Sequence, residues 1–192
     1  QTDDIYDEII KIIEHSLYQL NIKKIDTILI HNLEDLENIN KISLIIKALS
    51  KLKKERFINK IGLSIYSPKI FKNLKELSDI DVIQSPLNLI DQRLIDSGLL
   101  NRLVNEKIEI NVRSIFLQGL LLKSDKDYFI KNFNRWNNIW EIWFDFINNS
   151  KNEFSPLQTC IDFIRNISGI DKVVVGVNSY NDLEKILLFF ED

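Results

Sequence analysis

Short β-branched runs alternate along this chain with stretches whose apolar residues recur three and four positions apart. The runs at 25–30 (IDTILI), 60–65 (KIGLSI), 80–84 (IDVIQ), 108–113 (IEINVR) and 171–177 (DKVVVGV) predict strands. Ile5, Ile9, Ile12, Ile13, Leu17 and Leu20 trace the face of a first helix, and 41–55, 91–106, 126–148, 156–167 and 180–190 read as others. Ser67-Pro68 and Ser155-Pro156 each offer an N-cap followed by proline at the first helical position, where its missing N–H costs nothing. Ser155 and Gln158 have capping-box spacing. The asparagine- and lysine-rich patch at 148–153 reads as a surface turn.

Regular strand–helix alternation implies right-handed crossovers and a parallel sheet, and runs of Val, Ile and Leu suit strands buried on both faces. A doubly wound sheet and a (β/α)8 barrel both satisfy this pattern. A doubly wound nucleotide fold would carry a glycine-rich phosphate turn after its first strand. The chain has five glycines and no GxGxxG, so the barrel is favoured, with five strands where closure needs eight. The expectation is one α/β domain over residues 1–192, of the (β/α)8 TIM-barrel type, supplying about five βα units.

Composition narrows the function. Of 192 residues, 45% are hydrophobic and 28% charged, enough for a sizeable core. The net charge of −3 comes from mixed acidic and basic residues without a basic stripe, which argues against a nucleic-acid partner. No apolar run is long enough to span a membrane and no signal-peptide pattern is present. With the lone Cys160 read as core packing, this predicts a soluble, cytoplasmic protein. The chain opens on Gln1 and contains no methionine, so it is expected to be part of a longer polypeptide. Three more strand–helix units would add about 10 kDa. Five strands alone would leave two open edges, and homo-oligomerisation or completion by another chain is the expected consequence.

In a barrel, chemistry sits at the C-terminal strand ends. All five ends here are polar: His31-Asn32, Ser64, Gln84 with Asn88, Arg113 with Ser114, and Asn178-Ser179. Strand ends meet solvent and often carry caps, so any single one of them can be read that way; five consecutive tips are harder to dismiss, since their loops converge on one mouth. His31, directly after IDTILI, could donate to a substrate oxygen, while His15 lies mid-helix and reads as structural. The stretch NVRSIFLQGLLL (111–122) begins as a buried strand and ends in an arginine, a serine and a glutamine. No acidic cluster or lysine at the tips suggests a metal site or a lyase.

The ordered blocks SLYQLNIKKIDTILIHN (16–32), INKIGLSIYSP (58–68), IDVIQSPLNLIDQRL (80–94), INVRSIFLQGLLL (110–122), SPLQTCIDFI (155–164) and DKVVVGVNSYNDLEKI (171–186) resemble the aldo-keto reductases, over strands four to eight of that family's barrel. The resemblance implies reduction of an aldehyde or ketone, sugars included, with NADPH or NADH bound over the mouth. It makes His31 the histidine that orients the carbonyl. Ser64 and Gln84 fall where the nicotinamide carboxamide is bound, and Ser114 where the phosphates pass. Gly176, Asn178 and Ser179 fall near the adenosine phosphate. Arg113 takes a position where many members stack an aromatic ring on the nicotinamide. A cation there would be repelled by an oxidised ring, and an acidic substrate group or a phosphate is the other candidate contact.

The family's catalytic tyrosine, lysine and aspartate have no counterparts in these blocks, and Tyr66 is the one tyrosine expected near the mouth. Asp182 stands where a cation often holds the 2′-phosphate, and Lys185-Ile186 where Glu-Asn usually holds the adenine. The competing reading is therefore a non-catalytic relative that keeps the barrel as a binding or scaffold module. Substrate selectivity is assigned to the 122–135 loop, while Trp136, Trp140 and Trp143 are expected to share one packing face of a helix.

Overall fold

The structure is a computed structural model that describes residues 2–31, 39–72, 79–149 and 155–191. In chain order the elements are α1 (Thr2–Leu20), β1 (Ile25–Ile30), α2 (Ile39–Lys54), β2 (Ile58–Ser64) and β3 (Val82–Pro86). They continue with α3 (Arg93–Asp96), α4 (Leu99–Asn105), β4 (Glu109–Arg113), α5 (Lys126–Asn132), α6 (Asn137–Asn149), α7 (Pro156–Arg165), β5 (Lys172–Val174) and α8 (Tyr180–Glu191). The strands form one sheet in the order β1-β2-β3-β4-β5, and β1 through β4 pair in parallel. This sequential order with intervening helices is the progression of a (β/α)8 barrel.

The chain divides into two compact units. The first comprises Gln1–Pro86, Asp91–Arg113 and Gly169–Val173; the second comprises Leu87–Ile90, Ser114–Ser168 and Val174–Asp192.

In the first unit, α2 buries Ile42, Ala48, Leu49 and Leu52, where the steps from 48 and 49 to 52 are the four- and three-residue spacings of a helical stripe. Its last turn carries Lys51, Lys53 and Lys54, the sign that complements the carbonyl end of the helix dipole. Lys53 reaches both oxygens of Asp81 at 2.7 and 2.6 Å. Asp81 also clamps a strand: its backbone N–H donates to Ile61 O at 2.8 Å and its Oδ2 accepts from Ile61 N at 2.9 Å. Asp171 repeats the device ahead of β5, donating to Ile110 O at 2.9 Å and accepting from Ile110 N at 2.7 Å. The recurring Ile-Asp pair of DIDV and GIDK is thus a lead-in, with the aspartate finishing the neighbouring strand's hydrogen bonds. This is why β3 starts at Val82 and β5 at Lys172, each a little later than the apolar runs suggest. β5 also ends earlier, at Val174.

Glu109 ties three strands together on one face, meeting Lys60 Nζ at 2.5 Å and Lys172 Nζ at 2.9 Å. Burial opposes its ionisation, but the hydrogen bonds from Lys60, Lys172 and Asn111 outweigh that and hold its carboxyl below the usual range. On the same face, Gly62 leaves room where neighbours crowd. An added Cβ would lie 2.5 Å from Leu29 Cδ2 and 2.6 Å from the Val82 carbonyl oxygen.

The single helix expected over 91–106 is two. Gly98 adopts the left-handed conformation (φ 74) and its N–H closes a turn on Ile95 O at 2.8 Å, which breaks the helix after Asp96. After β2, Ser67-Pro68 opens a 3-10 turn, Pro68–Lys72, rather than an α-helix.

In the second unit the expected 126–148 helix is interrupted at Phe133, whose backbone (φ −136, ψ 37) is non-helical. Asp125 caps α5 by accepting from Tyr128 N at 3.1 Å, and Ser155 caps α7 by accepting from Gln158 N at 3.2 Å. Fully buried Phe129 packs on Trp140 and Phe144, with ring centroids 4.3 and 5.3 Å away. Trp140 and Trp143 are buried in α6, as expected of a packing face. Trp136 departs from it, lying in the 3-10 turn before the helix and half exposed. Cys160 is fully buried, and burial pushes its thiol up to about 12, which suits packing and not nucleophilic chemistry. His15 is exposed on α1. The expected turn at 148–153 lies mostly outside the described residues. No helix among the described residues is long and apolar enough to cross a membrane.

Candidate active site

Parallel pairing places like-facing residues side by side, and the register aligns Ser64 with Gln84 and Gln84 with Asn111. The result is a polar row across β2, β3 and β4. Ser64 is fully buried and donates to Gln84 Oε1 at 3.2 Å. Asn111 is only 8% exposed, and its Oδ1 meets no hydrogen-bond donor among the described residues. A buried acceptor left unmet costs about 1–3 kcal/mol, so such an atom points to a ligand or solvent contact.

At the strand ends the first unit brings two more residues together around Tyr66. The His31 ring meets the Tyr66 ring edge-on, with centroids 5.8 Å apart and planes at 80°. Arg113 lays its guanidinium over the same ring, Cζ 4.5 Å from the centroid, and donates from Nη2 to Ile65 O at 3.3 Å. The arginine is therefore a fixed cation resting on an aromatic face. Asp91 feels that charge, but its main partner is Arg93, which grips both carboxylate oxygens at 2.7 Å. That grip, with a smaller contribution from Arg113, holds the Asp91 carboxyl below its usual range.

The remaining expected residues lie in the second unit. Ser114 follows Arg113 in a left-handed conformation (φ 59), as do Leu117, Gln118 and Gly119. Buried Asn88 braces this turn, donating to Ser114 O at 3.0 Å and accepting from Ile90 N at 3.0 Å. Left-handed backbone at non-glycine residues costs about 1–3 kcal/mol each and persists where the surroundings enforce it. Gly176, Asn178 and Ser179 are exposed. Ser179 caps α8, accepting from Asp182 N at 3.1 Å. Asp182 lies in the first turn of that helix, where a carboxylate suits the dipole. Asn32 lies outside the described residues.

Sequence reading assigned no role to Asn111, Asp91 or the ring of Tyr66. The alternation E-I-N-V-R carries a signal for the first, since period two puts Glu109, Asn111 and Arg113 on one face. Nothing in the sequence signals that Tyr66 serves two partners. No group of His, Cys, Asp and Glu that could hold a metal occurs among the described residues.

The profile of the Aldo/keto reductase family matches residues 1–191, and the chain belongs to that family. A comparison with curated proteins found no match. Among solved structures, the aldo-keto reductase of Bacillus halodurans in its holo form has 17% identity and a TM-score of 0.74, over 100% of this chain and 62% of that one. Its apo form has 18% identity and a TM-score of 0.76, over 97% and 63%. The glycerol dehydrogenase of Gluconobacter oxydans has 20% identity and a TM-score of 0.65, over 96% and 64%. At these identities the likeness establishes the fold, a partial (β/α)8 barrel. The chain spans less than two thirds of the length of each of these structures.

Proposed function

We propose that the complete polypeptide is a nicotinamide-dependent oxidoreductase that reduces an aldehyde or ketone, sugars included, and that this chain is the C-terminal part of its barrel domain. The observation that carries this reading is the Ser64–Gln84–Asn111 row, buried at Ser64 and Asn111 and half-buried at Gln84, in a chain of this family, with His31, Tyr66 and Arg113 at the strand ends.

A nicotinamide carboxamide presents one carbonyl acceptor and one NH2 donor. The row offers the Gln84 NH2 and the Asn111 Oδ1, an acceptor with no donor among the described residues, so the residues fit the group. When bound, the nicotinamide supplies a hydride. Ser64 fixes the Gln84 amide by donating to its oxygen. His31 donates an N–H to the substrate carbonyl oxygen, orienting it and drawing electron density from the carbon. Arg113 would add a positive charge near a bound nicotinamide, which would favour the reduced over the oxidised cofactor, and it can also hold an acidic substrate group. Ser114, Gly176, Asn178 and Ser179 are assigned to the cofactor phosphates on the resemblance alone. Asp182 would repel a 2′-phosphate, so NADH stands beside NADPH as a candidate.

The test is carbonyl-dependent oxidation of NADPH and NADH by the complete polypeptide, with simple aldehydes and aldoses as substrates. Activity that falls at least tenfold in His31→Ala supports the reading. Arg113→Ala should weaken cofactor or substrate binding; unchanged titrations of both would remove Arg113 from the site. Saturable cofactor binding without turnover would make the protein a binding module instead.

A further inference from the structure

The turn after β2 and the two short helices after β3 line a cavity of about 530 Å3, entirely within the first unit. Volumes of this size are typical of small-molecule sites. Its lining is divided chemically. Phe71 and Leu99 contribute apolar atoms to the lining, each with 5% of its surface exposed. Lys69, Arg93 and Arg102 supply cations, against Asp96 as the one carboxylate among the described lining residues.

The cations differ in their commitments. Arg93 is gripped by Asp91 through two bonds of 2.7 Å. Arg102 engages Glu106 through Nε at 2.7 Å, which orders the side chain. A guanidinium has five N–H donors, and this contact uses one, so its terminal amino groups remain able to donate. Lys69 makes no ion pair with any described residue. With Asp91 and Glu106 included, the three cations face three carboxylates and bulk charge cancels. Attraction for an anion therefore rests on directed donors at Lys69 and Arg102.

We propose that this cavity binds an amphiphilic anion, a carboxylate or phosphate head on a medium-length apolar body. The cavity is too large for an inorganic anion to fill, and more of its lining surface is apolar than polar, which suits a carbon body. A neutral apolar molecule would leave Lys69 and Arg102 unused. The inference does not depend on the reductase reading, because none of these side chains belongs to the polar row or the strand ends.

The test is calorimetric titration of the complete protein with octyl phosphate, octanoate, octanol and inorganic phosphate. The expected result is saturable one-to-one binding of at least one of the two amphiphilic anions, the tighter of them identifying the head group. Octanol and inorganic phosphate should each bind at least tenfold more weakly. The double variant Lys69→Ala/Arg102→Gln should lose at least tenfold in affinity, with circular dichroism and NADPH titration unchanged, since both residues are exposed. No saturation with either anion, equal binding of octanol, or an affinity untouched by the double variant would overturn the proposal.

Discussion

Replacing Gly62 with alanine probes the layer on which the polar row stands. Two atoms oppose the new methyl: Leu29 Cδ2 at 2.5 Å and the Val82 carbonyl oxygen at 2.6 Å. The first is the end of a flexible side chain and can rotate away. The second is backbone in the strand paired with β2, with Gly62 opposite Val82 in the register, and it moves only if β2 and β3 separate. Overpacking of this kind costs about 1–3 kcal/mol. Because one of the opposing atoms is backbone, the cost falls in the upper half of that range, about 2–3 kcal/mol. Alanine recovers about 0.4–1 kcal/mol by restricting the unfolded chain, leaving a net loss of about 1–2.6 kcal/mol. For a protein of this size that lowers Tm by about 2–10 °C. Urea unfolding and thermal melting of wild type, Gly62→Ala and Gly62→Ala/Leu29→Ala would measure it. Trimming Leu29 should rescue little of the methyl's own cost, because the carbonyl contact persists. A Gly62→Ala variant as stable as wild type, or full relief in a double-mutant cycle, would refute the reasoning. Gly176→Ala, with nothing within 4 Å of the added Cβ, is the matched control.

Three further predictions concern charge and reactivity. Asp171→Ala leaves the buried Ile110 N–H without its 2.7 Å acceptor and should cost about 1.5–3 kcal/mol in urea unfolding, with Asp171→Asn retaining part of it. Asp91 and Glu109 both titrate below their usual values. Their stabilisation is present above the unfolded-state pKa and is lost as pH falls through the folded-state value, so the urea midpoint should drop below about pH 5 and drop less steeply in Glu109→Gln. The Cys160 thiol, pushed up to about 12, should resist thiol reagents at neutral pH in the native protein and react fully once unfolded; rapid labelling of native protein would contradict its burial.

The legible parts of this fold were those set by local periodicity. IDTILI became β1 with the boundaries its apolar run suggests, and Ser155-Pro156 capped α7 as its chemistry dictates. The errors arose where one residue overrode a pattern. A left-handed Gly98 split one helix, and a non-helical Phe133 split another. The aspartates of the Ile-Asp pairs moved the starts of β3 and β5 because they serve the neighbouring strand. The polar row was partly readable: Ser64 and Gln84 stood out as polar residues near strand ends. Asn111 did not, because its place depends on a pairing register that only the assembled sheet defines. The Tyr66 contacts join residues 31, 66 and 113, far apart in sequence, and no local rule reports such a meeting.

The measurement that tests the central claim most directly is a fluorescence titration of the complete polypeptide with NADPH and NADH, repeated on Gln84→Leu and Asn111→Leu. The account predicts saturable binding of at least one nucleotide by the wild type and at least tenfold weaker binding by both variants, with folding unchanged. Binding of neither nucleotide by a folded wild type, or affinities untouched by both substitutions, would contradict it.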